Sequence, residues 1–382
     1  MIYLDNAATS NKKPESVYLA SDKALRSCSG NPGRSGHRIS LEAGAVLQEA
    51  RRDLQQLFHA EFAEELSFAQ NATMALNQAI FGIAKPGMHI ITSTLEHNSV
   101  SRPLEQLRRD MGIACTVLPA SVDDGTDPED LKKALRRDTG LVVMNHVSNV
   151  TGTVNDIAAL GEICREAEVP FLVDASQSAG KMKIDVTEMK ADMLACPGHK
   201  GLLGPQGTGV LYVKKGLLLH PHLSGGTGSH SEFPVQPEET PDRYESGTQN
   251  VPGIAGLSAG VRFLLDMGIE EVEKKESELT ERLFRGLSSL PGLAMYAPGA
   301  GKRRGSVLSV RPEGMEVQEM AMILDTAFDI AVRGGLHCAP WAHQMLGTLE
   351  KGGTLRFSPD LFNTTEEIDA AIAAVEEILR EG

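Results

Sequence analysis

The sequence predicts an α/β fold in which a mainly parallel sheet is covered by helices on both faces. Between about residues 40 and 200, short apolar runs of strand length alternate with longer runs of helical periodicity. The apolar runs are continuous, as in strands that are buried on both faces. Because 382 residues exceed the usual size of one domain, we also expect a second, smaller domain.

The predicted elements of the first part follow a regular order. A helix over residues 40–58 is indicated by leucines that recur on one helical face. A Pro86-Gly87 turn precedes a strand at 88–92, and Asp127 followed by proline marks the start of another helix. The other strands are predicted at residues 65–68, 114–118, 141–145, 171–174 and 192–195, and the other helices at 73–83, 98–111, 128–137 and 156–167.

The pattern changes after about Gly253. Two helical runs follow directly on each other, and short strands then alternate with helices, which predicts a smaller α+β domain. These helices are expected at residues 254–267, 269–287 and 366–380, and the strands at 306–310, 330–332 and 354–357. The preceding segment, residues 224–250, is rich in Gly, Pro, Ser and Thr and has no clear period. A loop of that length in a compact domain usually has a function.

The charge balance excludes some classes of partner. The chain has 37 Lys and Arg against 51 Asp and Glu, a net charge of −14. A dedicated nucleic-acid binder would show a basic face, and an electrostatic membrane anchor would carry basic clusters. No apolar stretch approaches the ~20 residues of a membrane span, and the first residues lack the basic and apolar regions of a signal peptide.

The cysteine pattern excludes a disulfide framework and a zinc ribbon. Their number is odd, they lie far apart, and no C-x-x-C pair occurs. The five are Cys28, Cys115, Cys164, Cys196 and Cys338. A reducing, cytoplasmic compartment is therefore the default expectation.

Two features at predicted strand ends point to a cofactor. Asp174 ends the apolar strand at 171–174, and open α/β sheets bind ligands at the carboxyl ends of their strands. Lys200 lies in the glycine-containing loop after the strand at 192–195. Alone, Asp174 could equally be a helix cap. Together, an acid and a lysine at neighbouring strand ends are what pyridoxal phosphate requires.

Four further features each have a functional and an ordinary structural interpretation. The segment containing Ala72 and Thr73 offers amides and a hydroxyl at a helix N-terminus, which suits an anion or is a plain N-cap. His97 could stack on a flat cofactor or lie in the core. Cys338 precedes a helix that starts at proline, where a helix N-terminus and nearby histidine favour a thiolate, or it is an inert small hydrophobic residue. Arg356, in an apolar strand, suits a carboxylate because of its planar fork.

With these features in place, the chain resembles the class V aminotransferase-like family of pyridoxal-phosphate enzymes. Within that family it is most similar to the cysteine desulfurases and selenocysteine lyases. The resemblance spans essentially the whole chain and depends on the order and spacing of short motifs. These motifs are YLDNAAT at residues 3–9, HVSNVTG at 146–152, PGHKG at 197–201, ESGT at 245–248, LHCAP at 336–340 and the region from Arg356 to Thr364.

The resemblance implies a fold and a domain division. The fold is that of type I pyridoxal-phosphate transferases, with a mainly parallel seven-stranded sheet flanked by helices. Residues 15–252 are expected to form the large cofactor-binding domain. Residues 1–14 and 253–382 are expected to form the small α+β domain, which carries Cys338 and Arg356.

The resemblance also implies a role for each candidate residue. Lys200 would bind the cofactor covalently, Asp174 would partner its ring nitrogen, and His97 would stack on its ring. The remaining cofactor contacts would be Ala72, Thr73, Asn149, Gln177, His199 and, from a second subunit of a homodimer, Thr248. Asn149 and Arg356 would hold the substrate carboxylate, and Cys338 would accept sulfur. The chain departs from many relatives at Pro197, where a phosphate-binding Ser or Thr is common, and its cysteine segment is short.

The activity that follows from the resemblance is conversion of L-cysteine to L-alanine, with the sulfur left on Cys338 as a persulfide. A sulfur-acceptor protein is a further expected partner. The nearest alternative is a selenocysteine lyase or another β-eliminating enzyme on the same scaffold. A cysteine hydrolase that uses His337 or His343 and a non-catalytic sulfur carrier are weaker alternatives, because they leave Lys200 and Asp174 unexplained. A zinc site formed by these histidines with Cys338 is also weaker, because their spacing matches no common ligand pattern.

Overall fold

The computed structural model describes residues 1–33, 35–229 and 232–381. Its helices are α1 Glu15–Ser27, α2 Arg38–Phe58, α3 Ala72–Ile83, α4 Asn98–Met111, α5 Pro128–Ala134, α6 Ile157–Glu166, α7 Val251–Met267, α8 Ile269–Ser288, α9 Val317–Phe328, α10 Pro340–Met345 and α11 Thr365–Glu381. The strands are β1 Ile2–Tyr3, β2 Leu66–Ala69, β3 His89–Ser93, β4 Ala114–Leu118, β5 Ala120–Ser121, β6 Gly125–Thr126, β7 Thr139–Asn145, β8 Phe171–Asp174, β9 Met193–Pro197, β10 Gly209–Val213, β11 Leu293–Tyr296, β12 Leu308–Pro312, β13 Ile330–Ala331, β14 Arg333–Gly335 and β15 Thr354–Phe357.

The large sheet has seven strands in the order β2-β10-β9-β8-β7-β3-β4. Only β10 runs antiparallel to its neighbours, and the remaining pairs in the sheet are parallel. The predicted mainly parallel sheet is therefore confirmed. Parallel order brings the ends of β7, β8 and β9 to one edge, where Asn145 aligns with Asp174 and Asp174 with Ala195.

Each face of the large sheet contributes to its own apolar core. Alternate residues of β7 point to opposite faces, so that Val142 and Met144 belong to one core and Leu141 and Val143 to the other. Helices α2, α6 and α7 cover the first face, and α3 and α4 cover the second. Burial on both faces explains why these strands lack polar alternation.

A second sheet is antiparallel and has the strand order β11-β12-β15-β14. Helices α8, α9 and α11 pack on it to form a third core. The first strand of the chain, β1, pairs in parallel with β13 beside this sheet, and Leu4 is buried in the same core. The N-terminal residues therefore pack with the C-terminal part of the chain.

Helix α7 lies across the predicted domain boundary at residue 253. It packs against α1 and α2, and its residues Ile254, Leu257 and Val261 belong to the core of the large sheet. We therefore propose that the large domain extends through α7 and that the small domain begins near Gly268. Helix α1 and strand β10 were not among the predicted elements.

Some predicted bounds differ from the observed ones. The helix predicted at 128–137 ends at Ala134, because Leu135 has an extended backbone. The strand predicted at 306–310 is shifted to Leu308–Pro312. Across the described residues, no helix is both long and apolar enough to cross a membrane.

Candidate active site

A cavity of about 230 Å³ opens where β7, β8 and β9 end and the small sheet approaches. Nine of the eleven predicted site residues line it. They are Ala72, Thr73, His97, Asn149, Asp174, Gln177, His199, Lys200 and Arg356. Cys338 and Thr248 do not line it. The cavity is slightly smaller than the roughly 300 Å³ at the lower end of small-molecule sites.

Lys200 is held in the tight loop after β9. Neighbouring Gly201 is required there, because a Cβ atom at its position would lie 2.3 Å from the carbonyl oxygen of Ala179. Desolvation lowers the pKa of Lys200 to about 8, although attraction to Asp174 opposes the shift. A substantial fraction of the amine is therefore neutral and nucleophilic near pH 8.

Asp174 lies at the carboxyl end of β8 and is buried. Burial raises the pKa of its carboxyl group, whereas hydrogen bonds from Ser176 and the charge of Lys200 lower it. The backbone N–H of Ser176 donates to Oδ1 of Asp174 at 2.9 Å. A buried carboxylate fixed in this way suits a cationic ring N–H as its partner.

The start of α3 provides an anion site. Asn71 caps the helix by accepting a hydrogen bond from the N–H of Met74 at 2.9 Å. The amides of Ala72 and Thr73 precede the helical hydrogen-bond ladder, so they remain available to an anion in the cavity. His199 faces the same cavity, and its Nδ1 lies 3.0 Å from Oγ1 of Thr9.

His97 has a defined tautomer. As the N-cap of α4, its Nδ1 accepts a hydrogen bond from the N–H of Ser99 at 3.0 Å, so the ring proton lies on Nε2. Burial and the charge of Lys200 lower the pKa of His97 to about 4. The ring is therefore neutral at pH 7, as is suitable for stacking on a flat cofactor. The hydroxyl of Ser99 also lies 2.8 Å from that of Thr73.

Arg356 and Asn149 lie at the end of the cavity next to the small sheet. Nη1 of Arg356 donates to the carbonyl oxygen of Asn149 at 3.1 Å, and Nη2 donates to Oδ1 of Asp5 at 2.7 Å. The amide Oδ1 of Asn149 and the Nε of Arg356 are buried and have no hydrogen-bond partner. These unpartnered atoms leave polar capacity for a bound molecule.

Arg333 is a site residue that the sequence did not indicate. It lines the cavity and lies directly opposite Arg356 in the pairing of β14 with β15. Its Nη2 is 3.8 Å from Sγ of Cys338. Two arginines therefore face the cavity from neighbouring strands. Asn145, Ser99 and Ser176 also line the cavity and were not predicted.

Cys338 lies just outside the cavity and is exposed. Its carbonyl oxygen accepts a hydrogen bond from the N–H of Asn98 at 2.7 Å, next to His97. The preceding carbonyl, of His337, accepts from Nδ2 of Asn149 at 2.7 Å. His337 and Cys338 both have left-handed backbone conformations, with φ of 49° and 57°. The thiol is thus held in a short, tight turn at the mouth of the cavity.

The histidines near Cys338 are buried and make their hydrogen bonds to other residues. Nε2 of His337 contacts the carbonyl and hydroxyl oxygens of Thr354, and burial lowers the pKa of His337 to about 2. His343 is buried with Nδ1 2.8 Å from the hydroxyl of Thr348. Both imidazoles make their hydrogen bonds to threonines, and the cation beside the sulfur atom of Cys338 is Arg333. Within the described residues no group of three or more His, Cys, Asp or Glu could hold a metal ion.

Thr248 lies in a different place from the other candidates. It is exposed and lines a separate cavity of about 180 Å³. Three residues earlier in the chain, the carboxylate of Glu245 forms a buried bidentate pair with Arg51, at 2.6 and 2.7 Å. This pair fixes the segment on α2. Thr248 does not reach the cavity of its own chain, so a cofactor contact from it requires a second copy.

The groups that line the cavity fit pyridoxal phosphate. The cavity offers a partly neutral amine for the aldehyde, a buried carboxylate for the ring nitrogen and a neutral imidazole for the ring face. The amides at the start of α3 suit the phosphate. Pro197 lines the cavity without a hydroxyl, while the hydroxyls of Thr73 and Ser99 lie in it.

Comparison with known proteins extends these observations. The family model for class-V aminotransferases matches residues 2–371. A protein of Pyrococcus abyssi described as a probable cysteine desulfurase is 33% identical, over 100% of this chain and 94% of that protein. Another so described, from Halalkalibacterium halodurans, is 36% identical over 98% of this chain and 92% of that protein.

Solved structures are similar over the same length. A cysteine desulfurase from Thermococcus onnurineus superposes with a TM-score of 0.93 at 33% identity, covering 100% of this chain and 95% of that one. The cysteine desulfurase CsdA from Escherichia coli has a TM-score of 0.88 at 29% identity, covering 99% of this chain and 94% of that one. The type I transferase fold expected from the sequence is confirmed by this likeness.

Proposed function

Because the chain belongs to the class-V aminotransferase family, we propose that it is a pyridoxal-phosphate-dependent cysteine desulfurase. It converts L-cysteine to L-alanine and retains the sulfur on Cys338 as a persulfide. The observation that carries the proposal is the combination of Lys200 and Asp174 in one cavity with an exposed cysteine at its mouth. The names of the relatives support the same activity.

The cofactor would be held by residues with distinct tasks. Lys200 would bind its aldehyde, Asp174 its ring nitrogen, and the start of α3 with His199 its phosphate. His97 would cover one face of the ring, and Gln177, whose Nε2 donates to the carbonyl oxygen of Ala7 at 3.0 Å, would flank the other side of the site. When bound, pyridoxal phosphate supplies an electron-withdrawing group attached to the substrate amine.

The protein residues then orient the substrate and move its protons. Arg356 would hold the α-carboxylate with its unused Nε donor, and Asn149 would contribute the second N–H of its Nδ2, whose other N–H donates to the carbonyl oxygen of His337. Lys200 would remove the α-proton and return a proton to the carbon skeleton, because its pKa of about 8 allows both protonation states near neutrality.

Cys338 would perform the sulfur transfer. Its thiolate forms a bond to the substrate sulfur as the carbon–sulfur bond breaks. The electron pair of the broken bond stays with the carbon skeleton, which takes up a proton and leaves as alanine. Arg333 places a cation beside the sulfur atom, with Nη2 3.8 Å from Sγ. Because Cys338 is exposed, the persulfide is accessible to a thiol acceptor, including an acceptor protein.

The decisive experiment supplies L-cysteine to the cofactor-loaded protein with a thiol reductant, which releases persulfide sulfur. Equal amounts of alanine and sulfide are expected. Pyruvate and ammonia in place of alanine would instead identify a β-eliminating lyase. Parallel reactions with L-selenocysteine test the alternative substrate. Because selenide is a better leaving group than sulfide, its release from the substrate depends less on Cys338.

We also propose that the protein works as a homodimer. The support is the position of Thr248, which is exposed and does not line the cavity that contains Lys200, and the exposed apolar side chains of the nearby segment, including Leu223 and Val235. Two-fold dimers are the most common closed assembly. A monomer in light scattering that retained full activity would contradict this part of the proposal.

A further inference from the structure

The first residues of the chain form a strap, residues 2–10, that crosses from the small sheet to the cofactor cavity. At one end, β1 pairs with β13, and Asp5 forms a bridge with Ser358. At the other end, the N–H of Ser10 donates to the carbonyl oxygen of His199 at 3.1 Å. The strap thus places Asp5 between the small sheet, where β1 pairs, and the loop that carries His199 and Lys200.

Asp5 makes a direct ion pair with Arg356. The distance from Nη2 of the arginine to Oδ1 of the aspartate is 2.7 Å, and the two side chains are 1% and 20% exposed. Burial lowers the pKa of Arg356, and the carboxylate of Asp5 is the main group that opposes this shift. The guanidinium proposed to hold the substrate carboxylate is therefore already compensated by one negative charge of the protein.

The second arginine of the cavity lacks such compensation. Arg333 faces Arg356 across the strand pair, and in the part of the chain that the structure describes no carboxylate forms a salt bridge with it. The imidazoles of His97 and His337 add no charge at pH 7, because burial lowers their pKa values to about 4 and about 2. Counted over Asp5, Arg333, Arg356 and these two imidazoles, and leaving aside the nucleophile Cys338, the substrate end carries two cations and one anion, a net charge of one positive.

We propose that Asp5 determines the charge selectivity of the substrate site. By neutralising Arg356 it leaves one net positive charge, which matches an amino acid whose only anionic group is its α-carboxylate. An amino acid of similar size with a second carboxylate, such as L-aspartate, is disfavoured because the site has no second uncompensated cation. This inference rests on the proposed function, since it takes the cavity to bind an amino acid.

The test compares two ligands that are not desulfurated. Calorimetric titration of the cofactor-loaded protein gives dissociation constants for L-alanine and L-aspartate. Effects on the α-carboxylate that both ligands share cancel in the ratio of the two constants. In Asp5→Asn we expect the preference to shift toward L-aspartate by about tenfold, the size of one charge acting over several ångströms at an intermediate dielectric.

Matched variants separate charge from structure. Asp5→Glu keeps the charge and should leave the ratio within about twofold of the native value. Asp369→Asn removes one exposed carboxylate that pairs with Arg282 outside the cavity. It should also leave the ratio of the two dissociation constants within about twofold of the native value. Arg333→Met should shift the preference toward L-alanine, and it tests the charge balance even if Asp5→Asn does not fold.

The results have separate consequences. A folded Asp5→Asn protein with an unchanged ratio, or an Arg333→Met protein with an unchanged ratio, overturns the role of charge. Calorimetry requires no turnover, so a protein that binds these amino acids without desulfurating cysteine still tests Asp5. That outcome would refute the desulfurase activity alone. A protein that bound neither amino acid at any concentration would refute the inference directly.

Discussion

The carboxyl group of Glu96 accepts a hydrogen bond from the backbone N–H of Asn145 at 2.9 Å. This contact connects the loop that carries His97 with β7, the strand next to Asp174. The same oxygen accepts from the hydroxyl of Ser93 at 2.8 Å, while the other carboxyl oxygen is buried without a partner. Burial is the main cause that raises the pKa of Glu96 to about 8.

Glu96 should therefore make stability depend on pH. Its folded pKa of about 8 exceeds the ordinary value of 4.5, so the folded state binds the proton more tightly than the unfolded state. The resulting stabilisation is complete below pH 4.5 and is lost as the pH rises through 8, by at most about 1.4 kcal/mol per unit. Compared with Glu96→Gln, the native protein should lose stability between pH 5 and 9 in urea unfolding. Parallel pH curves for the two proteins would show that Glu96 is ionised throughout.

Lys200 should be the point of covalent cofactor attachment. After loading with pyridoxal phosphate and reduction with borohydride, the added mass should be found on the peptide that contains Lys200. Lys200→Ala should show no such adduct, because its cavity lacks the amine. Lys183→Ala, which alters an exposed lysine paired with Glu188, is the matched control and should be labelled like the native protein. Labelling of the Lys200→Ala protein at the native level would contradict the assignment.

Ser99→Ala should weaken cofactor binding. The serine hydroxyl lies 2.9 Å from Nδ1 of His97 and 2.8 Å from the hydroxyl of Thr73, so it joins two predicted cofactor contacts. Loss of one such hydrogen bond, worth about 1 kcal/mol, corresponds to about a fivefold rise in the dissociation constant. Equilibrium dialysis measures this dissociation constant. Ser101→Ala, on the same helix but outside the cavity, is the control and should bind the cofactor normally. If both variants bound the cofactor as tightly as the native protein, the role of Ser99 would be refuted.

Cys338→Ala should abolish cysteine turnover without abolishing cysteine binding. The nucleophile for sulfur transfer is removed, so the rate should fall by orders of magnitude. Lys200, Asp174 and Arg356 are unchanged, so the cofactor absorbance should still respond to cysteine. Cys28→Ala is the control. Wild-type turnover in Cys338→Ala would exclude the persulfide step and favour simple elimination.

Iodoacetamide should label Cys338 before the buried cysteines. Cys338 is exposed, whereas Cys164 and Cys196 are buried. Burial raises the pKa of Cys115 to about 11 and that of Cys164 to about 12, which keeps these thiols protonated. Peptide mapping after short exposure measures the order of labelling. Prior labelling of a buried cysteine would show that the turn at Cys338 shields its sulfur.

Arg356→Lys should raise KM for cysteine more than it lowers kcat. Arginine reaches Asp5 and the carbonyl oxygen of Asn149 with two separate nitrogens and still has donors left for a carboxylate. An ammonium group is a point charge and cannot keep this geometry. Initial-rate kinetics over a range of cysteine concentrations checks the split. Unchanged kinetics would indicate that Arg356 has only a structural role in its strand.

Much of the fold follows from local patterns in the sequence. The strands at 171–174 and 354–357 have the predicted bounds. Asp174 and Lys200 could be paired in advance because both follow parallel strands, whose ends meet at one edge. Helix α1 was missed, and its N-cap, Pro14, makes no side-chain capping hydrogen bond that would mark its start.

The charge partners in the site could not be predicted from sequence spacing. Asp5 and Arg356 are 351 residues apart, so no local period connects them. Arg333 lies in a strand with two glycines, a composition that gives little signal for a strand. Its position beside Cys338 depends on the pairing of β14 with β15, which only the tertiary structure defines.

The strap has a consequence for the order of events during protein synthesis. Arg356 leaves the ribosome 351 residues after Asp5, which is about 20 to 70 s later at roughly 5–20 residues per second. The strands of the large sheet end at Val213, so the sheet is complete well before β13 and β15 are made. Until then the beginning of the chain has no partner strand. The amino-acid site can therefore be assembled only after all strands of the large sheet have been made.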